Sequence, residues 1–148
     1  MKTNDPKTPN VYLMRWNPSI SSFTEEDYKQ CVEKLTYGLF QINWSIKEWE
    51  EARKGDFFFM LRSGDDKAGI VFQGQFLSDP YPGDDWAGTE KRRMYVDMIC
   101  TDAIEPEKVP PLSLEKLQKA IPEINWMKGH SGERLSDEVV IKLNEMNE

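Results

Sequence analysis

The chain has 148 residues, of which 39% are hydrophobic and 30% charged, and 19 Lys and Arg stand against 26 Asp and Glu for a net charge of -7. That is one domain's length, too apolar for a disordered acidic chain, with no run near the roughly 18 apolar residues that cross a membrane. Two cysteines, Cys31 and Cys100, and one histidine, His130, exclude a disulfide framework, a zinc site and a His-rich catalytic centre. No metal and no cofactor is expected. The acidic balance argues against bulk nucleic-acid binding, since neutralising many phosphates takes net positive charge, although the local field around a pocket decides.

Residues 1–9 are polar and hold two prolines, which reads as a flexible tail before a single domain over 10–148. The first residues contain no apolar stretch that serves as a secretion signal, so the expected location is the cytoplasm. Residues 11–16 are apolar and run into Asn17-Pro18, the pattern of a buried first strand. Thr24 is an N-cap, with Glu25, Glu26 and Asp27 in the first turn of a helix. Its apolar positions Tyr28, Cys31, Val32 and Leu35 recur at three and four residues, and Gly38 stops it. Residues 39–44 form a second strand. Ser45-Ile46-Lys47-Glu48 has the form of a capping box and predicts a short helix ending at Gly55, with Trp49 in the core.

Residues 56–62 read as a central strand, apolar on both faces, and 63–66 as a hairpin turn. Residues 68–77 form the next strand, whose internal glycines, Gly69 and Gly74, predict a bulge or bend. Residues 78–90 are read as one long loop and 94–100 as a strand. Ser113 caps a short helix over 114–121, 124–132 is irregular, and Ser136 caps a last helix with Val139, Val140 and Leu143 inward. Consecutive strands with hairpin signals indicate an α+β fold with a mostly antiparallel sheet. The internal glycines favour a small curved barrel over an open sheet.

Catalytic motifs are missing: there is no nucleophile elbow, phosphate-cradling glycine loop or HExxH. Asp65-Asp66 and Asp84-Asp85 read as turn residues, and Cys31 and Cys100 as core residues. The five tryptophans, at 16, 44, 49, 86 and 126, are more informative. Trp16 and Trp44 each end a strand, and Trp86 sits in the long polar loop. They are either ordinary core and surface aromatics or the walls of a slot where a planar base stacks.

Several stretches in order carry a resemblance. They are Arg15-Trp16-Asn17-Pro18 at the end of the first strand, Asn43-Trp44-Ser45 at the end of the second, Lys54-Gly55-Asp56 before residues 57–61, and Ala68-Gly69-Ile70-Val71. Phe76-Leu77-Ser78-Asp79-Pro80-Tyr81, Tyr95-Val96-Asp97-Met98 and Gly129-His130-Ser131-Gly132-Glu133-Arg134-Leu135 follow. Over residues 10–146 the chain resembles an EVE domain of the PUA-like superfamily, similar in fold to the YTH readers of methylated adenine in RNA and related to ASCH domains.

The resemblance implies a small, mixed PUA-like β-barrel of five or six strands flanked by helices, without enzyme activity. It implies a pocket for a flipped or unpaired modified base in DNA or RNA, and the acidic charge, which leaves few phosphate contacts, favours single-stranded nucleic acid. Trp44 would be one wall, beside Asn43 and Ser45, with Arg15, Trp16 and Asn17 at the mouth or floor and Trp86 as the second wall. Lys128, His130, Ser131 and Gly132 fall where relatives contact phosphate, and Lys91, Arg92 and Arg93 would extend that basic edge. Such domains are often fused to nuclease or ATPase modules, which implies a partner enzyme in trans. Two other readings stand beside this one. The acidic charge and Asp84-Asp85 favour a binding module for a small ligand, a modified nucleoside or cationic metabolite, or for a protein. Relatives of the ASCH type imply an amidohydrolase acting on modified nucleosides.

Overall fold

Val11–Trp16 is apolar except at Arg15 because both of its faces are covered. In the computed structural model, which describes residues 9–35, 37–38, 40–84 and 92–147, this segment is strand β1, one in from the edge of a mixed sheet. Successive side chains point to opposite faces. Tyr12, Met14 and Trp16 enter one core with Phe58, Met60, Phe72, Phe76 and Met98. Leu13 enters a second core on the other face, with Phe59, Leu61, Leu117, Trp126, Val139 and Leu143.

Along the chain follow α1 (Glu25–Leu35), β2 (Phe40–Ser45), β3 (Phe57–Arg62), β4 (Gly69–Phe76), β5 (Tyr81–Asp84), β6 (Arg92–Ala103), α2 (Leu114–Ala120), β7 (Glu133–Arg134) and α3 (Asp137–Met146). The strand order is β2-β6-β4-β3-β1-β7, with β5 also paired to β6. All pairings are antiparallel except β1 with β3, whose parallel register takes a crossover through α1 and β2. The fold is thus α+β as expected, with seven strands rather than five or six among the described residues. The additional ones are the short β5 and β7.

The predicted glycine bulge is present. The β4–β6 register shifts between Gln73 and Gly74, and a Cβ at Gly74 would lie 1.9 Å from the Ile99 carbonyl oxygen. The sheet curls so that its outer strands approach, but no ladder joins β2 to β1 or β7. Isolated bonds bridge this seam: Trp44 Nε1–H donates to Arg15 O at 3.2 Å, and the N–H groups of Lys47 and Glu48 donate to Ser131 O and Gly132 O.

Those bonds account for one departure from the sequence reading. No helix follows β2. The N–H groups that Ser45 would have capped are instead taken by the 131–132 carbonyls, and Ser45 itself stays in the strand. Trp49, expected in the core, is therefore 41% exposed on an irregular segment. The loop expected over 78–90 is also shorter, because Tyr81–Asp84 pairs with Tyr95–Arg92 as an edge hairpin that tolerates Pro82. Helix α1 spans Glu25–Leu35, and Gly38 N–H donates to Leu35 O just beyond it. Cys31 is half-buried against the first core, and Cys100 is buried. The expected tail up to Thr8, along with Trp86, Lys91 and Asp85, lies outside the described residues, and the side chains of Asp84 and Arg92 are likewise not described. No described helix is long and apolar enough to cross a membrane.

Candidate functional site

The seam between β1 and β2 holds a cavity of about 430 Å³, within the usual range for a small-ligand site. Its walls come from the ends of both strands, the 20–23 loop, the first turn of α1 and Ser131. No ladder joins the two strands, so the gap between them stays open. Six of the residues singled out in the sequence, Arg15, Trp16, Asn17, Asn43, Trp44 and Ser45, all line it, and so does Ser131.

Aromatic rings build the floor and one wall. Trp16 is fully buried and packs against Phe23 and Tyr28, with ring centroids at 5.3 and 5.2 Å. Phe23 meets the half-buried Trp44 edge to face, at 5.6 Å and 82°. Both indole N–H groups are consumed internally, Trp16 by Phe23 O at 2.6 Å and Trp44 by Arg15 O. Each ring is thereby fixed in orientation, and Trp44 offers the cavity its apolar surface.

Helix α1 contributes through its cap. Thr24 Oγ1 accepts from Asp27 N–H, and Asp27 Oδ2 accepts from Thr24 N–H, a reciprocal capping box. Phe23 and Tyr28 stand at the two positions of a hydrophobic staple and share Trp16 as their partner. The Thr24 hydrogen bonds hold the Asp27 carboxyl below its ordinary pKa, so it is ionised at neutral pH. Its second oxygen accepts no hydrogen bond among the described residues, and Asp27 lines the cavity. Sequence reasoning read Asp27 only as helix-end charge and passed over Phe23 and Tyr95. The Thr24-to-Asp27 spacing was the available signal.

Arg15 has a supporting place. Its guanidinium lies on the opposite face of β1 from Trp16, donating to His130 O at 2.6 Å and Asn125 O at 2.9 Å and pairing with Glu133 at 2.8 Å. Its backbone N–H donates to Ser131 Oγ. A Cβ at Gly129, which has φ +144, would stand 2.8 Å from the Arg15 Cζ. This strap sets residues 129–132 against the cavity mouth.

A second, polar cavity of about 250 Å³ adjoins the first and shares Ser45 and Ser131 with it. Lys47, Trp49, Arg93 and His130 line it. Of the expected phosphate contacts, Arg93, His130 and Ser131 therefore stand together, while Lys128 is exposed on the same segment and lines neither cavity. Among the described residues no cluster of three His, Cys, Asp or Glu side chains is placed to hold a metal ion.

This curled mixed sheet with flanking helices is the EVE/PUA-like fold. No protein-family model matches the chain, and no curated protein matches it. Solved structures do. Protein PSPTO5229 from Pseudomonas syringae superposes with a TM-score of 0.61 at 16% identity, over 93% of this chain and 99% of that one. Human THYN1, an EVE-domain protein solved in complex with DNA containing 5-methylcytosine, gives 0.59 at 14% identity over 94% and 98%. The YTH domain-containing protein mmi1, solved as an RNA complex, gives 0.52 at 8% identity over 93% and 80%. At these identities the likeness is one of fold.

Proposed function

We propose that the chain is a non-enzymatic reader of a modified base in nucleic acid and takes that base into the seam cavity. The observation that carries this is the convergence of Trp16, Trp44 and Phe23 with the Asp27 carboxylate around one space of suitable volume. An aromatic wall holds any planar base, at roughly 1–3 kcal/mol per stacked contact. A carboxylate acceptor selects among bases, because it favours an exocyclic amino group such as that of cytosine or adenine. The neighbouring fold-mates with methylated DNA or RNA support a nucleic-acid ligand for this shape of domain.

With a net charge of -7, the protein is expected to make few phosphate contacts. Three or four would give a shallow log–log salt slope of roughly -2 to -3 on a single strand. Flipping a base out of a duplex costs a few kcal/mol, and an unpaired base avoids most of that, so single strands are the favoured substrate. The Asp27 carboxylate also suits a free modified nucleoside in the same cavity, which would bind without any salt slope.

The test is quenching of intrinsic Trp fluorescence by short single-stranded DNA and RNA carrying plain or methylated cytosine and adenine. Binding of one modified oligomer, lost in Trp44→Ala, is expected. Equal binding by wild type and Trp44→Ala would overturn the reading.

A further inference from the structure

We propose that the second cavity is a subsite for the nucleotide next to the bound base, with Trp49 as its stacking platform and Lys47 as its phosphate contact. This rests on the function proposed above and adds that the strand must be unpaired beside the bound base as well as at it. The two cavities share Ser45 and Ser131 in their linings and so lie side by side, where neighbouring nucleotides of one strand can reach both.

Trp49 is 41% exposed, and among the described residues its ring stacks on no other ring and its indole N–H meets no acceptor. It belongs to neither core. Its backbone is nevertheless fixed: Lys47 and Glu48 N–H bond across to Ser131 O and Gly132 O, Ala52 N–H closes a turn onto Trp49 O, and the side chain of Ile46 is buried beneath. A large apolar ring on a fixed backbone at the rim of a polar, cation-lined hollow is the arrangement by which single strands are held without sequence preference. Lys47 is exposed and makes no ion pair among the described residues. Glu48 and Glu50 stand close in sequence, which limits the subsite to about one phosphate. A flanking base stacked on Trp49 cannot also be stacked and paired in a duplex, so this subsite makes the protein select single strands.

The experiment uses five-nucleotide single strands with cytosine, 5-methylcytosine, adenine or N6-methyladenine in the centre. Each is made twice, with thymine flanks and with abasic flanks of the same charge. On the centre that binds, wild type should prefer thymine flanks by roughly ten-fold or more. Trp49→Ala should erase that preference while still binding the abasic-flanked strand like wild type, and Trp49→Phe should restore most of it. Lys47→Ala should reduce the log–log salt slope by about 0.7. Equal wild-type affinity for both flanks, or a preference that survives Trp49→Ala, overturns the subsite. In either case, loss of binding in Trp44→Ala leaves the base-reading function standing. If no centre binds wild type in either form, that function fails and the subsite with it.

Discussion

Arg62 carries its guanidinium into the core at 2% exposure, with Cζ 5.4 Å from the centre of the Trp16 ring that floors the cavity. Two carboxylates meet it there. Asp65 Oδ2 accepts from Nε at 3.1 Å and from Nη2 at 2.7 Å, and Glu25 shares Nη2. The partners differ in exposure, since the Asp65 side chain is 33% exposed and that of Glu25 51%. In Asp65→Asn one oxygen stays for the Lys67 N–H bond, and Arg62 Nε loses its acceptor inside the protein. An unmet donor on a buried charge costs about 2–3 kcal/mol. Glu25→Gln keeps an oxygen for Nη2 and gives up a half-exposed ion pair, at a cost below about 1 kcal/mol. Arg62→Met removes the buried charge while filling similar space and should fall within about 1 kcal/mol of wild type. Urea unfolding followed by Trp fluorescence measures all three. A Glu25→Gln cost equal to that of Asp65→Asn, or an Arg62→Met cost above it, refutes the reasoning.

Gly74→Ala sets a methyl against the Ile99 carbonyl across the β4–β6 bulge and should destabilise by about 2–4 kcal/mol; a change below about 0.5 kcal/mol in urea unfolding would contradict the close approach. Burial pushes the Cys100 thiol up to about 12 from its ordinary value of 9.0. A thiol harder to ionise when folded contributes stability that is complete below pH 9 and lost as pH rises toward 12. The urea midpoint should therefore fall from pH 9 upward, and less steeply in Cys100→Ala; identical profiles would place the thiol in water. Trp44→Ala should abolish oligonucleotide binding, whereas Trp49→Ala, at an exposed site, should leave the free energy of urea unfolding within about 0.5 kcal/mol of wild type.

The strands were legible wherever one segment serves two cores. Residues 11–16 and 57–62 are apolar at every position or nearly so, and at six residues, bounded by turn signals, they fit a strand covered on both faces. Gly74 announced its bulge because a β-strand seldom carries a glycine without a close backbone approach. Local signals failed where a distant segment competed for the same backbone groups. Ser45 and Glu48 make a proper capping box on paper, yet the carbonyls of Ser131 and Gly132 take the N–H groups it would have served. Trp49 moved from core to surface for that reason alone. β5 was hidden by its own Pro82 and Gly83, which an edge strand accepts. In the cavity, Trp16 and Trp44 stood out by type and by their place at strand ends. Asp27 did not, since its helix-capping role already explained it.

The central claim is that the base sits between β1 and β2, and the indole N–H resonances of the tryptophans test it most directly. Adding the modified five-nucleotide strand that quenches fluorescence should shift the signals of Trp44 and Trp16, whose N–H groups bond to Arg15 O and Phe23 O at the cavity wall. Trp126, buried in the second core and bonded to Ile121 O, should stay in place. Shifts confined to Trp126, or none at Trp44 under saturating ligand, would contradict a base-reading pocket in the seam.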